Sequence, residues 1–365
     1  MMSTHIFPLY SPGTSNATWI ALVFSGRASG LFAVVAGIGL AFLTGRGSPH
    51  RDGGLAADRR GIAIRALIIA LTGLVLGGVE TNIAIILFHY GILFLVALPF
   101  TGLPFKALAV WAVAWTLISP VAAYLLRPLV RENVDPSSLG ANPTFEHFFE
   151  PRTLFADVFL TGYYPVLQWL SFVLIGMAIG RLNLRRLGVQ LGLLGAGLAT
   201  AIMAKLISAE LLGRGGGLQA LLRTPDGNAY PLETMLNVGL TGINQSGSWW
   251  WLAVSAPHSG APLDLLHVAG SATAMIAVCF LLTRKYPNLL LPLSAAGAMT
   301  LTLYLLHIVA FKIVVDHLGW VEPNGLGTAL TFAAIFWVMA IVVASWYHRR
   351  VGIGPAEWLY RTIGG

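Results

Sequence analysis

Long apolar blocks alternate with short polar connections along almost the whole chain. Nine of these blocks are long enough for transmembrane helices, because a helix needs about 20 apolar residues to cross a hydrocarbon core of roughly 30 Å. Only helices are plausible, since lipid offers no hydrogen-bond partner to open backbone groups. The predicted spans cover residues 19–44, 61–79, 82–99, 105–126, 157–180, 187–212, 263–283, 289–311 and 326–347. The pattern therefore predicts an all-α fold, a polytopic transmembrane helix bundle of nine full spans.

Composition also favours a membrane protein over a soluble one. Of the 365 residues, 56% are hydrophobic and only 10% are charged, whereas soluble domains carry about a quarter charged residues. Polar connections separate spans and not domains, so residues 1–365 are predicted to form a single transmembrane domain. The positive-inside bias of membrane loops explains the net charge of +7. No basic tract interleaved with aromatic residues indicates a nucleic-acid partner.

The distribution of Lys and Arg over the connections predicts the orientation. One side of the predicted bundle receives 14 of the 22 basic residues and the other receives 6, while Arg27 and Lys205 fall within spans. The side with more positive charge is cytoplasmic by the positive-inside rule. The sequence thus predicts a multi-pass protein of the plasma membrane with a cytoplasmic C-terminus. It also predicts two long non-cytoplasmic loops, at about 127–156 and 213–262.

The ionisable residues within the spans lie in the outer half of the predicted bundle. Such residues are costly in lipid and are usually functional or paired, and a guanidinium stays charged at any accessible pH. We infer a polar cavity open to the outside, and the alternative is that each side chain is satisfied separately. The residues are Arg27, His89, Lys205, His267 and His307, with Glu80 in the turn before the third span.

Asp264 and His267 are three residues apart, so they share one face of a helix. A carboxylate beside an imidazole orients it and raises its basicity, which suits a general base. The alternative is structural, with Asp264 supplying the negative charge that a helix start favours. The single cysteine, Cys279, cannot form an internal disulfide, and no metal-ligand spacing occurs, so no metal is expected.

Four stretches, in order along the chain, resemble a known family. They are WIALVFSGR at 19–27 with the apolar run to 40, YPVL to GMAIGRL between 164 and 182, GAMTLTLYLLH at 297–307, and GPAEWLYR at 354–361. They resemble the DUF418/DUF1624 membrane proteins, a family that includes proteins similar to heparan-alpha-glucosaminide N-acetyltransferase.

The resemblance implies a transmembrane acyltransferase. Its relatives take an acyl group from cytoplasmic acetyl-CoA or another acyl-CoA and deliver it to an extracytoplasmic glycan or lipid acceptor. In this chain His307 or His5 would take the acceptor proton, with Asp264 and His267 as the reserve pair. Arg27 would hold an anionic group or stabilise a developing oxyanion. The other residues predicted to bind substrate are Glu80, His89 and Tyr304.

Two features depart from the family pattern. Family members have a full helix before the one that starts at residue 19, and residues 1–7 resemble only its outer end. The native protein is therefore expected to start upstream, with the bundle holding the end of a truncated first helix. The acetyltransferase relatives carry His-Ala-Ser-Trp at this point, with the His implicated in catalysis, whereas this chain has Asn16-Ala17-Thr18-Trp19. An amide cannot act as a base, which makes His5 the nearest substitute.

Two other functions remain open. Intramembrane Arg, Lys, Glu and His also serve the substrate and proton paths of carriers. Against a carrier, the sequence shows neither an inverted repeat nor paired broken spans, and Pro165 is a single kink candidate. A non-enzymatic membrane protein would tolerate replacement of Arg27 and His307. The acceptor, the acyl chain and the oligomeric state are left open by the sequence.

Overall fold

The computed structural model describes residues 2–11, 16–79, 83–228, 231–240, 245–314 and 326–364. Within these residues the chain is helical and contains no β-strand, only an isolated bridge between Tyr10 and Ala17. The helices are α1 (Met2–Ile6), α2 (Trp19–Phe24), α3 (Arg27–Leu43), α4 (Asp52–Gly77), α5 (Leu87–Ala97), α6 (Phe105–Asn133), α7 (Pro151–Ala156), α8 (Val166–Gly180), α9 (Leu187–Leu212), α10 (Gly217–Leu222), α11 (Pro225–Asn228), α12 (Leu232–Val238), α13 (Pro262–Lys285), α14 (Leu291–Gly297), α15 (Thr300–Lys312), α16 (Leu326–Arg350) and α17 (Pro355–Gly364).

Fewer helices cross the bundle than the sequence predicted. Among the described residues, six are long and apolar enough to span a membrane, and two bent pairs raise the number to at most eight. The prediction of nine full spans was therefore wrong. The third predicted span fails because α5 has 11 residues and continues only as a 3-10 turn of 3 residues. At 1.5 Å per residue these reach about 20 Å, short of the roughly 30 Å hydrocarbon core.

A side-chain amide explains why α5 starts late. Asn142 accepts from the Ile85 N–H at 2.7 Å and donates to the Ile83 carbonyl at 2.8 Å. These backbone groups are bound by a side chain from a distant connection and do not join a helix. The apolar sequence before Leu87 therefore forms the rim of a cavity, described below, and not a turn of helix.

The helices present two opposite ends, which we name after their connections. The loop face carries the long connections 134–150 and 213–261, and the arginine face carries 44–51 and 181–186. α6 extends to Asn133, so the first part of the loop predicted from residue 127 is helical. The loop predicted at 213–262 contains α10, α11, α12 and a 3-10 turn around the fully buried Trp251.

Arginines on α6 hold the second long connection against the bundle. Arg131 pairs with Asp226 at 2.8 Å, and the same carboxylate accepts from the Ser246 N–H at 2.9 Å and hydroxyl at 2.7 Å. The buried Arg127 donates to Gln245 at 3.3 Å. Because these contacts tie residues far apart in sequence, the connection folds as part of the bundle.

Three of the predicted spans are interrupted. The first breaks between α2 and α3 at Gly26, which has a φ of +70°, a conformation that favours glycine. The span predicted at 157–180 contains a π-turn at Asp157–Thr161 and bends by 45° before α8, at the predicted kink candidate Pro165. The pair α14 and α15 bends by 78°.

A carboxylate from the C-terminal helix stabilises the sharper bend. Glu357 accepts from the backbone N–H of Leu301 at 2.6 Å and of Thr302 at 3.1 Å, and from the Thr302 hydroxyl at 2.6 Å. The first N–H groups of a helix have no partner within it, and a negative charge is favourable there. The GPAEWLYR stretch thus supplies the cap of α15.

Close packing of small residues joins α3 to α8. A Cβ atom built on Gly37 would collide with the carbonyl oxygen of Val173, and one on Gly176 would collide with that of Val34. One helical turn further along α8, a Cβ atom built on Gly180 would lie 2.6 Å from the Cβ of Ala41. Small residues four apart let helix backbones approach closely in lipid, where dispersion replaces the hydrophobic effect as the attraction.

The same device joins α9 to α13. A Cβ on Gly197 would lie 2.7 Å from the Ala274 nitrogen, and one on Gly270 would lie 2.7 Å from the Ala201 nitrogen. The two glycines therefore face each other across the contact. Close contact of backbones thus joins both helix pairs, α3–α8 and α9–α13.

We expect Gly37→Ala to destabilise the protein, because the new methyl group has no space against the α8 backbone. The cost should be about 1–3 kcal/mol, as for other overpacked cores, and a lower thermal unfolding midpoint in detergent would report it. Gly39→Ala is the matched control, since a Cβ there meets no atom of the described residues within 4 Å. Equal midpoints for the two variants would contradict close packing of α3 on α8.

Candidate functional site

A cavity of about 600 Å³ opens into the bundle at the loop face. Segments from two of the three interrupted spans, at Gly26 and at Tyr164, and from both long connections surround it. Its wall is polar in part, because the helix breaks direct backbone and short polar side chains inward. The lining includes His5, Ser25, Gly26, Ser29, Ala84, Gly140, Asn142, Tyr163, Tyr164, Gly239 and His258. A partly polar cavity is thus present among the described residues, but its lining includes none of the intramembrane ionisable residues from which the sequence inferred one.

His5 lies on the cavity wall with His307 behind it. The planes of the two imidazoles are nearly parallel, 7° apart, with ring centroids 5.6 Å apart, and the edges of the rings meet where His307 Nε2 lies 3.4 Å from His5 Nδ1. Tyr304 packs edge-to-face on His307 at 5.1 Å and accepts from the Ile86 N–H at 3.1 Å. Three residues predicted as site residues therefore form one group, and His5 is the member that reaches the cavity.

His307 is buried and makes no direct approach to the cavity in the described structure. Among the described residues its Nδ1 has no hydrogen-bond partner, and Phe311, Phe332 and Phe336 line a small void beside His5 and His307. An apolar wall on one side and an aromatic ring on the other fix the plane of the imidazole. His307 therefore lies against His5 and is not among the described residues that line the cavity.

His258 is a second imidazole of the cavity wall, and sequence reasoning missed it. It stacks on Trp169 with centroids 6.4 Å apart and planes 16° apart, and its Nδ1 lies 3.3 Å from the Tyr163 carbonyl. Its φ of +61° is uncommon for a residue with a Cβ, and such strain concentrates at functional sites. Since His258 precedes α13 in a connection, no argument from intramembrane charge could find it.

Burial governs the protonation of His258. Desolvation disfavours the charged imidazole and lowers the pKa of His258 below its ordinary value, and the hydrogen bond with the Tyr163 carbonyl opposes this only in part. His258 is accordingly a neutral imidazole at neutral pH, able to accept a proton or a hydrogen bond.

His89 lies beneath the main cavity. It is buried, neither of its ring nitrogens has a hydrogen-bond partner among the described residues, and it borders a void of about 10 Å³, which is near the volume of one water. Asp157 borders the same void and accepts from the Gly140 N–H at 3.0 Å and the Thr161 hydroxyl at 3.0 Å. His89 is thus separated from the group around His5 and lies at the cavity floor.

Arg27 and His267 form a different group, on another side of α3. Arg27 Nε donates to His267 Nε2 at 2.9 Å, and Arg27 also donates to the Leu22 carbonyl. Neither residue lines the main cavity in the part of the chain that the structure describes. The predicted site residues are therefore divided between two groups and the cavity floor, and do not converge on one point.

Asp264 and His267 share a helix face, as predicted, but their polar atoms have different partners. Asp264 is buried and accepts from the Gly260 N–H at 3.1 Å, while His267 Nδ1 lies 2.9 Å from the Ala201 carbonyl. The carboxylate secures the start of α13, which agrees with the structural alternative. Glu80 lies outside the described residues, and Asn16 is exposed.

Comparisons with known proteins identify the family. A family model described as "Heparan-alpha-glucosaminide N-acetyltransferase, catalytic" matches residues 1–209, more than half of the chain. A second model, "Protein of unknown function (DUF418)", matches residues 230–364. No curated protein and no solved structure matches the chain. The resemblance carried by the four stretches is confirmed by both family models.

We expect His258 to contribute to the pH dependence of stability. Because its pKa is lowered in the folded protein, the unfolded chain binds more protons below the ordinary His value of about 6.5. The stabilisation is therefore present above that pH and is lost as the pH falls through the lowered pKa. His258→Asn, which tolerates a positive φ, should reduce the fall in unfolding midpoint between about pH 8 and pH 5. An unchanged fall would contradict the burial of this imidazole.

Proposed function

The chain belongs to the heparan-alpha-glucosaminide N-acetyltransferase catalytic family, and from this membership we propose that it is an acyltransferase that works in the loop-face cavity. The donor is acetyl-CoA or another acyl-CoA from the cytoplasm. The acceptor is a hydroxyl or amine of an extracytoplasmic glycan or lipid. No metal takes part in this proposal.

The observation that carries the proposal is the pair of imidazoles on the cavity wall. His5 and His258 both line a cavity of about 600 Å³, which is within the range of small-molecule sites. An imidazole accepts a proton near neutral pH. A cavity large enough for an acyl group and part of an acceptor, with a base on its wall, is what acyl transfer to a weak nucleophile requires.

The proposed reaction is a direct transfer between thioester and acceptor. The acceptor oxygen or nitrogen attacks the thioester carbonyl carbon, so that a C–O or C–N bond forms and the C–S bond breaks. His5 takes the proton of the acceptor and returns it to the departing CoA sulfur. The products are the acylated acceptor and free CoA, and the protein ends in its starting state.

His307 acts in this proposal through His5. The 3.4 Å separation of His307 Nε2 and His5 Nδ1 lets the inner ring fix which nitrogen of His5 faces the cavity. His258, held on Trp169, is a hydrogen-bonding group for the acceptor on the opposite wall. Arg27 has no part in the transfer, because its guanidinium points to His267.

The proposed direction of transfer rests on charge. Exposed basic residues are concentrated at the arginine face, among them Arg51, Arg60 and Arg186, and they would attract the phosphates of CoA on that side. The acceptor would enter from the loop face, where the cavity lies. This arrangement follows the predicted orientation, with the arginine face in the cytoplasm.

A specific observation favours a second candidate function, transport of a solute. The two bent helix pairs, with bends of 45° and 78°, are the kind of broken span that carriers use near their substrate sites. Flux of a solute into proteoliposomes without any acyl-CoA would support this candidate. Transfer that requires acyl-CoA and yields free CoA would support the acyltransferase.

Replacement of His5 is expected to lower acyl transfer by about 10²–10⁴-fold, the usual contribution of a general base. The measurement is release of free CoA and labelling of an envelope glycan or lipid fraction by purified protein with radiolabelled acetyl-CoA. His348→Ala is the matched control, since His348 is exposed at the end of α16. Transfer by His5→Ala at the rate of the control would contradict the role of His5.

His307→Ala separates a positioning role from a merely structural one. We expect it to lower kcat more than it raises KM and to change the pH dependence of kcat/KM, because the loss acts through the orientation of His5. A protein that keeps the wild-type pH profile and rate with His307→Ala would show that the inner ring has no part in transfer.

A further inference from the structure

A cationic notch lies on the side of α3 that faces away from the cavity. We give this name to the site formed by Arg27 on α3, Lys205 on α9 and His267 on α13. All three side chains are partly exposed. The notch therefore opens on the outer surface of the bundle, near the loop face.

Hydrogen bonds fix the geometry of the notch. A guanidinium only donates, so the contact of 2.9 Å from Arg27 Nε to His267 Nε2 makes that ring nitrogen the acceptor. The proton of the neutral ring is then on Nδ1, which donates to the Ala201 carbonyl at 2.9 Å. Lys205 Nζ donates to the Ser255 carbonyl at 3.1 Å. These contacts orient both cations while leaving each with further N–H donors.

The notch carries excess positive charge. Among the described residues, no carboxylate oxygen lies within 4.0 Å of a side-chain nitrogen of Arg27 or Lys205. The nearby Asp264 directs one oxygen to Gly260. Even with Asp264 counted as a full negative charge, the formal charges of Arg27, Lys205 and Asp264 sum to +1. A singly charged anion would balance this excess.

The surroundings of the notch are those of a lipid-facing surface. Leu22 and Val23 are 49% and 50% exposed on α2, and Ile202 and Leu206 are 55% and 58% exposed on α9. Lys205 lies seven residues before the end of α9, about 10 Å along the helix axis. Long cationic side chains at this depth extend toward the headgroup region. An anion that reaches the notch from this side arrives attached to apolar chains.

We propose that the cationic notch binds the phosphate of an anionic membrane lipid, with the acyl chains lying on the exposed surface between α2 and α9. Arg27 and Lys205 hold the phosphate oxygens, and His267 keeps the guanidinium in place. The single excess charge matches one phosphodiester. This site is independent of the acyltransferase proposal, since it lies outside the cavity.

The test is binding of phosphatidylglycerol to the delipidated full chain in neutral detergent, measured by titration with native mass spectrometry. Each cation near an anionic lipid surface contributes roughly fivefold in affinity, so Arg27→Gln with Lys205→Gln should weaken binding by about 25-fold. Arg223→Gln is the matched control, because Arg223 is an exposed arginine of the long connection at the same face. The single variant Lys205→Gln, at a partly exposed position, should weaken binding by roughly fivefold if the double variant fails to fold.

Two outcomes would overturn the proposal. One is equal affinity of the wild type, the double variant and Lys205→Gln for phosphatidylglycerol. The other is displacement of the lipid by inorganic phosphate at the same concentration, which would identify a site for a free anion. Weakened binding in the variants, with the control unchanged and inorganic phosphate without effect, supports a lipid site.

Discussion

The close approach of α3 and α8 at Gly37 and Gly176 is the contact on which the rest of the structure depends. Each glycine faces a backbone carbonyl of the other helix, so no other residue fits without separating the pair. In lipid the contact is stabilised by dispersion and not by exclusion of water, and a small gap is therefore costly. The contact fixes the separation of the two helices along their shared length.

The cavity exists because this packing ends before the loop face. The positive φ of Gly26 interrupts the helix between α2 and α3. The helical segment before α8 is bent by 45° relative to α8, at Pro165. Between these two points and the loop face, the backbones of the two helical segments diverge. His5, His258 and Tyr164 line the cavity that opens there. The close contact between α3 and α8 and the polar cavity at the loop face thus both depend on the course of the same two helices.

The arginine face is held together by a buried guanidinium. Arg181, at the end of α8, is buried and donates to the carbonyls of Ala41, Thr44, Arg46 and Leu103. Two of these belong to the C-terminal end of α3, where the helix dipole is negative. One guanidinium thus holds the end of α3, the following turn and α8 together. Hydrogen bonds therefore hold these segments together at the arginine face, whereas the cavity lies at the loop face.

Much of the fold was predictable from hydropathy, because the apolar blocks that form α3, α4, α6, α9, α13 and α16 are long. What hydropathy could not show is where an apolar block is not helical. The segment before Leu87 is apolar, yet the amide of Asn142 binds its backbone. The break at Gly26 depends on a backbone angle, and one glycine among 41 carries no signal of its own.

The site was predictable only in part. Searching the spans for ionisable groups found His307 and Arg27, but it treated them as one layer although α3 separates their surroundings. The contact of His5 with His307 joins residues 302 positions apart, which no local pattern specifies. His258 was missed because a histidine in a polar connection is ordinary until its strained backbone and its stacking on Trp169 are seen.

We propose that acyl transfer takes place in the loop-face cavity, and the position of a bound donor analogue is the decisive measurement. The measurement is a cryo-electron microscopy map of the full chain with a non-hydrolysable thioether analogue of acetyl-CoA. We expect the acyl end to lie in the cavity, between His5 and His258. An acyl end at Arg27 and His267, on the other side of α3, would contradict it.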